Sequence, residues 1–334
     1  MSRFAGLVLL AGAGGGRAQA ELRQDFGEVA LTANGGFTLT GALFDDPGTL
    51  EGVEEEADLD AYGSVNAEWT SDSGLVLGLF ASGDTADNRP DTLKNDRLYG
   101  YGATEWGRVE VGLTSGPARR MSFYAPLVGA GQIRGDFARY AGSSALLWPF
   151  DSRQSFKIAY LSPPLSGVRF GLSWAPRLER LDTVQGDAVE IAAQVERPVG
   201  SWILGGSAAY VHAEAETPGL RDIGSWSLGF QARRDRLVIG GAYVERTDSN
   251  LFSRDFGQSV VNLGLAWRET DWAVAMSAAR TTARGFDSTL LGIGGTYDVA
   301  EHLSLTADVV GIREETPLRG ARTGWVLVTG IDLH

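Results

Sequence analysis

Val261-Asn262-Leu263-Gly264-Leu265-Ala266-Trp267 places a large apolar side chain on every odd position and a small or polar one on every even position. Successive side chains of an extended strand point to opposite faces, so this stretch builds a strand with one apolar and one polar-or-small face. The alternation recurs in Val168, Phe170, Leu172 and Trp174, with Arg169, Gly171 and Ser173 between them. It recurs again in Val109, Val111 and Leu113 against Arg108, Glu110 and Gly112, and in Val189, Ile191, Ala193 and Val195 against Glu190, Ala192, Gln194 and Glu196. No segment of comparable length carries a helical period.

Extending the reading predicts strands at 29–44, 58–71, 75–86, 95–106, 108–115, 153–162, 167–176, 187–197, 201–214, 222–233, 236–247, 257–268, 271–282, 286–297, 302–313 and 321–333, sixteen in all. Proline is an independent check, because it cannot donate to a sheet ladder. All 11 prolines fall between these segments or on a last residue. Connections alternate in length. Asp72-Ser73-Gly74, Arg234-Asp235 and Glu269-Thr270 are tight, whereas 45–57, 87–94, 214–222 and 248–256 are longer and polar. One connection, 116–152, far exceeds a hairpin loop and mixes arginines with Met121, Phe123, Tyr124, Leu127, Leu147 and Trp148. A solvated loop has no use for so many apolar groups; folding inward against a barrel wall would use them.

The 334 residues include no cysteine, which excludes disulfides, thiolate metal sites and cysteine nucleophiles. Glycine, 45 residues or about 13%, is nearly twice its usual share, as many turns and close backbone approaches require. Asp plus Glu number 42 against 29 Lys plus Arg, a net charge of −13 that argues against a nucleic-acid partner. Residues 1–20 read as a secretory signal: Arg3, an apolar run from Phe4 to Ala13, then Ala18-Gln19-Ala20 for cleavage. Residues 21–334 would form the mature barrel. No later stretch has the roughly 18 consecutive apolar residues of a membrane-spanning helix. A strand that alternates averages to neutral, so this does not exclude a membrane.

Sixteen strands closed into a cylinder enclose a lumen too wide for side chains to fill. The consistent arrangement turns the apolar face outward to hydrocarbon and the small or polar face inward to water, while closure pairs every backbone group. The expected fold is therefore an all-β transmembrane antiparallel barrel of 16 strands, its long third loop folded into the lumen. Trp106, Trp202, Trp267 and Trp272 sit at strand ends, as in the aromatic girdles of membrane barrels.

Taken together, the chain resembles a Gram-negative general-diffusion porin, of the sixteen-stranded kind found in Rhodobacter-type bacteria. The resemblance rests on the leader, the strand count, the loop-length alternation and the loop 116–152. It also rests on Gly107-Arg108-Val109-Glu110-Val111-Gly112-Leu113 running into Ser115-Gly116-Pro117, and on the last strand Thr329-Gly330-Ile331-Asp332-Leu333. It implies a homotrimer of water-filled barrels in the bacterial outer membrane, in contact with lipid and lipopolysaccharide, passing small hydrophilic solutes without a cofactor. Two features depart from the family. Its members usually end on an aromatic residue, whereas outward parity through Trp325, Leu327, Ile331 and Leu333 puts the next apolar group one residue beyond His334. The third loop, often acidic in the family, is here rich in arginine.

The expected constriction residues are Arg119, Arg120, Arg134, Asp136, Arg139 and Asp151. The facing wall, taken from inward parity, is Glu68, Arg97, Arg108, Glu110, Lys157 and Arg169. Such residues act through size and field rather than chemistry. The acidic run from Asp45 to Asp60 reads either as a solvated outer loop or as a structural Ca2+ site using Asp45, Asp46, Glu54 and Glu56. Two other functions are open to test. A hydrolase would need His212, His302 or His334, none of which accompanies a G-x-S-x-G motif. A solute-specific channel would use Tyr99, Tyr101, Phe123, Tyr124 and Tyr140 as an aromatic binding surface.

Overall fold

The computed structural model describes residues 20–47, 52–85, 97–127, 129, 147–149, 152, 155–180, 183–216, 221–247 and 257–333. Among them are seventeen strands: β1 (Ala20–Phe26), β2 (Val29–Asp45), β3 (Glu54–Thr70), β4 (Val76–Asp84), β5 (Arg97–Thr104), β6 (Gly107–Leu113), β7 (Phe156–Leu161), β8 (Val168–Arg180) and β9 (Thr183–Val199). The second half adds β10 (Trp202–Ala215), β11 (Ile223–Arg234), β12 (Leu237–Thr247), β13 (Gln258–Arg268), β14 (Trp272–Ala283), β15 (Phe286–Ala300), β16 (Leu303–Thr316) and β17 (Gly320–Leu333). One helical turn, α1 (Pro117–Arg120), lies in the long connection.

Each strand from β2 to β17 pairs antiparallel with the next, and β17 pairs with β2, so sixteen strands close into a barrel. These are the sixteen expected segments. Strand β1 was not expected. It pairs with the first half of β2, from Phe26 opposite Val29 to Ala20 opposite Gly35, while β17 pairs with the second half from Phe37 onward. The two chain ends therefore share one strand position along β2. Two further differences concern strand limits. β3 begins at Glu54, so the carboxylates of Glu54, Glu56, Asp58 and Asp60 stand on a strand rather than in a loop. β8 runs past Pro176, which leaves a gap in the ladder opposite Asp187, whose φ is 45°. The connections follow the expected segregation to opposite ends, but two at the loop-bearing end, 284–285 and 317–319, are themselves tight.

The faces are arranged as the alternation requires. Along β13 the outward Leu263 is 53% exposed and the inward Asn262 only 2%. Val261, Leu265, Trp267, Phe170, Leu172, Leu228 and Ile293 are all exposed on the same outer surface. Tryptophans mark its two rims. Trp69, Trp106, Trp202, Trp267 and Trp272 stand at the tight-turn end, and Trp174, Trp226 and Trp325 toward the other. The indole N–H of Trp69 donates to Glu28 at 2.9 Å, and that of Trp267 to Glu269 at 2.9 Å, which leaves the ring bodies apolar and the tips wet. Trp202 and Tyr210, the partner of Trp226, are eight residues apart on β10. That is about 27 Å along the strand, and about 21 Å along the axis at the roughly 40° tilt of membrane barrels, near the height of their apolar band.

The long connection enters the lumen. Residues 117–129 touch Gly171 of β8, Glu190 of β9, Ser207 of β10, Ser227 of β11, Gly240 of β12, Asn262 of β13 and Asp308 of β16. Eight strand spacings of about 4.8 Å separate β8 from β16. With α1 wound into a turn, the segment reaches only about 37 Å, so the contacts are made along a chord inside the barrel. Two apolar patches on the inner wall receive it. Leu127, Leu147, Tyr124 and Trp148 pack against Ala42, Phe44, Val244, Val260, Leu290, Val310, Ile312, Val326 and Val328. Met121 and Ala118 pack against Leu161, Ala175, Leu178, Ala192 and Val211.

Candidate pore constriction

A chain crossing a lumen must find partners for its backbone N–H groups. Inward polar side chains of the wall supply them. Ser207 Oγ accepts from Phe123 N at 2.8 Å, and Asn262 Oδ1 accepts from Ala125 N at 2.8 Å while its amide donates to Leu147 O at 3.4 Å. Glycines let the chain lie flat: a Cβ at Gly229 would come within 2.1 Å of Phe123 O, and one at Gly240 within 2.8 Å of Tyr124 O.

Glu190 ties down both roots of the loop. Its Oε2 accepts from Ala118 N at 3.1 Å, at the first turn of α1. Its Oε1 accepts from Ser152 N at 2.7 Å and also from the Ser152 hydroxyl. Lys157 Nζ lies 3.8 Å from the same oxygen and donates to Ser152 Oγ, and both Lys157 and Glu190 are fully buried. Lys157 was expected on the pore wall. It faces inward but is sealed beneath the loop, because an inward strand position opens to the lumen only where nothing is folded over it.

Arg119 and Arg120 sit on α1, and Arg97, Arg108 and Arg169 on the inner faces of β5, β6 and β8. Glu110, fully buried, lies between them: Arg108 Nε is 2.8 Å from Oε1, and Arg120 Nη1 donates to Oε2 at 2.8 Å. Thr114 Oγ1 donates to the same carboxylate at 2.8 Å. Three of the guanidiniums rest on aromatic rings. Arg108 lies 3.6 Å from the Tyr101 centroid, Arg119 4.9 Å from Trp148 and Arg97 5.2 Å from Phe80. Such stacking positions a cation by its face and leaves its edge donors available. Tyr101 is held in turn by its hydroxyl, which donates to Glu68 and lies 3.0 Å from Asn66 Oδ1, and Gly78 makes room for its ring. Arg97 and Arg169 both lie in the field of Arg120, so the five form one basic cluster.

Four of the six wall candidates, Arg97, Arg108, Glu110 and Arg169, thus lie about the arginines of α1, with Glu110 as an internal counter-charge, and Glu68 meets them through Tyr101. Of the loop candidates, Arg119 and Arg120 join them, and Arg134, Asp136, Arg139 and Asp151 lie outside the described residues. Sequence reasoning missed Glu190, Ser207 and Asn262 as anchors. Their inward parity was visible, but not that a loop would lie over them. The aromatic surface of a solute-specific channel is occupied otherwise. Tyr99, Tyr101 and Phe123 are buried, and Tyr124 packs on Trp148 with centroids 5.4 Å apart. Tyr140 lies outside the described residues. His212 is on β10 near the loop end and His302 in the tight turn after β15, at opposite ends of the barrel, so they form no catalytic pair; His334 is outside the described residues. Glu54 and Glu56 face inward on β3 whereas Asp45 ends β2. Among the described residues no three acidic or histidine groups are placed to share a metal ion.

The barrel fold has known counterparts. Over 93% of this chain and 99% of the other, it superposes on OmpF of Salmonella typhi in complex with daunomycin, with a TM-score of 0.68 and 13% identity. An anion-selective porin from Comamonas acidovorans is matched over 92% and 99%, with a TM-score of 0.66 and 13% identity. The outer membrane channel DcaP of Acinetobacter baumannii is matched over 93% and 99%, with a TM-score of 0.63 and 10% identity. These likenesses are of fold. No curated protein matches the chain in sequence. A family model of Gram-negative porins does match, over residues 5–316, and with the geometry above it means that this chain belongs to the Gram-negative porin family.

Proposed function

We propose that this outer-membrane porin, a water-filled channel for passive diffusion of small solutes, is narrowed by Arg119 and Arg120 of α1 facing Arg97, Arg108 and Arg169 of the wall. The observation that carries this reading is the inversion of the barrel, apolar side chains outside and polar ones inside, with the third connection pinned across the lumen. Selection in such a passage is by size and field, with no chemical step; the chain acts as a channel and not as an enzyme. Reconstitution in planar bilayers tests it. Stepwise conductance that rises linearly with salt, and sugar uptake by liposomes that falls with solute size, are the expected results. Saturation by one uncharged sugar would favour a solute-specific channel instead.

The mature protein is read as residues 21–334. Support comes from the register: one β2 residue, Gly36, separates the partner of Leu333 from the partner of Ala20, so the strand position leaves no room for a leader continuing in line. N-terminal sequencing of protein from outer membranes should begin at Glu21. The mature chain has 27 basic and 42 acidic residues, a net charge of −15, after loss of Arg3 and Arg17.

A homotrimer is supported by the outer surface of β2 to β4. Gly35, Gly63 and Gly83 stand opposite one another in one outward row, beside Ala33, Val65 and Ala81 in the next. So shallow a surface admits close approach of a second copy, and crosslinking in native membranes should give three-subunit species. Around the rest of the circumference, the apolar belt would meet lipid and, at the loop end, lipopolysaccharide. A Ca2+ ion at the acidic β2–β3 hairpin is tested by the effect of chelation on heat-induced unfolding in detergent.

A further inference from the structure

We propose that the constriction is an oxyanion-selecting site, in which Arg97, Arg119 and Arg169 transiently hold phosphate or carboxylate groups of passing solutes. This rests on the channel reading above and goes beyond it by naming the solute class. Whole-chain charge points the other way, at −13, so the decision falls to what stands near the passage. The cluster contains five guanidiniums. Glu110 is engaged by two of them, Arg108 and Arg120, and Glu68 faces the cluster through Tyr101. Glu196, whose charge acts on Arg169, is held by Arg233 at 2.6 Å, and Glu190 lies 3.8 Å from the buried Lys157. Among the described side chains the local balance is therefore about three positive charges.

The acidic ladder on β3 does not cancel them. Arg97 is opposite Ser82 and Ser82 opposite Ser64, so Asp60 is two strands across and four residues along. That separation is about 17 Å from strand dimensions, roughly two screening lengths at physiological salt. Glu54, Glu56 and Asp58 are further still. The ladder can shape the outer mouth; it leaves the field at the cluster positive.

Chemistry narrows the class further. Among the described residues no carboxylate lies within ion-pairing distance of Arg97, Arg119 or Arg169. Arg97 and Arg119 have a ring against one face, and all three residues are partly exposed; their inner nitrogens Arg97 Nε, Arg119 Nη1 and Arg169 Nε are buried and without a hydrogen-bond partner among the described residues. Partly exposed guanidiniums that no carboxylate among the described residues engages match the bidentate geometry of carboxylate and phosphate. Chloride would feel the field; an oxyanion would also find donors.

The test uses the full mature barrel in planar bilayers, with chloride and inorganic phosphate as probes. Across a KCl gradient the reversal potential should report a preference for Cl− over K+ of roughly tenfold, the lower end of what fields focused in clefts deliver. Added phosphate should lower the chloride current saturably. The triple variant Arg97→Gln, Arg119→Gln, Arg169→Gln removes no ion pair to a described carboxylate; it should bring the ratio near one and abolish the phosphate effect. A parent channel that prefers K+, a phosphate effect without saturation, or a triple variant that keeps either property would overturn the proposal while leaving the porin reading intact. Absence of any conductance would instead count against the porin reading itself.

Discussion

Replacing Glu190 by glutamine keeps the side chain's shape and removes its charge, at the one residue that holds both roots of the third loop. The carboxylate takes donors on both oxygens, Ala118 N on Oε2 and Ser152 N with the Ser152 hydroxyl on Oε1. Glutamine has one oxygen, so its amide N–H2 must face a backbone N–H on one side or the other. Three charge-assisted hydrogen bonds become at best two neutral ones, and each charged bond is worth about 1 kcal/mol more than a neutral one. Lys157, fully buried and 3.8 Å away, loses the charge of this partner, and removing one member of a buried pair typically costs about 3–5 kcal/mol. The strand ladder is untouched, so the loss falls on the loop. If half of it appears in the balance between seated and released loop, that balance shifts by roughly ten- to a hundredfold. Single-channel recordings should show this as increased open-state noise and changed mean conductance at an almost unchanged barrel unfolding temperature. Glu190→Gln with Lys157→Met should recover part of the loss, because the buried ammonium that faced the carboxylate is gone. Currents of Glu190→Gln that cannot be told from the parent's would refute the reasoning, and so would a double variant worse than the sum of the singles.

Other outcomes follow from the same geometry. Leu263→Arg places a charge in the middle of the lipid-facing belt and should destabilise the barrel by about 2–4 kcal/mol, read from urea unfolding in lipid vesicles; no loss would mean that this face does not meet hydrocarbon. Asn262→Leu strands Ala125 N and Leu147 O against the wall, at a cost of about 1–3 kcal/mol, and should raise channel noise without preventing assembly. Gly229→Ala puts a methyl about 2.1 Å from Phe123 O, so the loop must lift; its conductance should differ from that of Gly206→Ala, on the outer face of β10, which should match the parent. Trp267→Ala removes one rim anchor and its bond to Glu269, and a small fall in vesicle insertion rate should result.

The barrel was legible because every strand carries its own two-faced signature. Val261 to Trp267 states which face is apolar without reference to any neighbour, and sixteen such segments cannot be packed around a dry interior. The limits of strands were less legible. Glu54 to Asp60 reads as a solvated acidic run because charge outweighs periodicity there, yet its even members line the inner face of β3. β1 carries only Ala20 to Phe26, a short stretch whose strand character exists because β2 extends past the end of β17 and offers an unpaired edge.

Sequence by itself determined the parity of each position, and so which residues could face water: Glu68, Arg97, Arg108, Glu110, Lys157 and Arg169 all point inward as read. Tertiary structure alone decided which of them remain open to it. Lys157 and Glu110 are sealed under the loop, whereas Arg97 and Arg169 stay partly exposed. The reason is that parity is a property of one strand, fixed by backbone geometry. Exposure in the lumen depends on where a connection far away in sequence comes to rest, and that is settled by its fit to glycines, hydroxyls and one carboxylate spread over six strands.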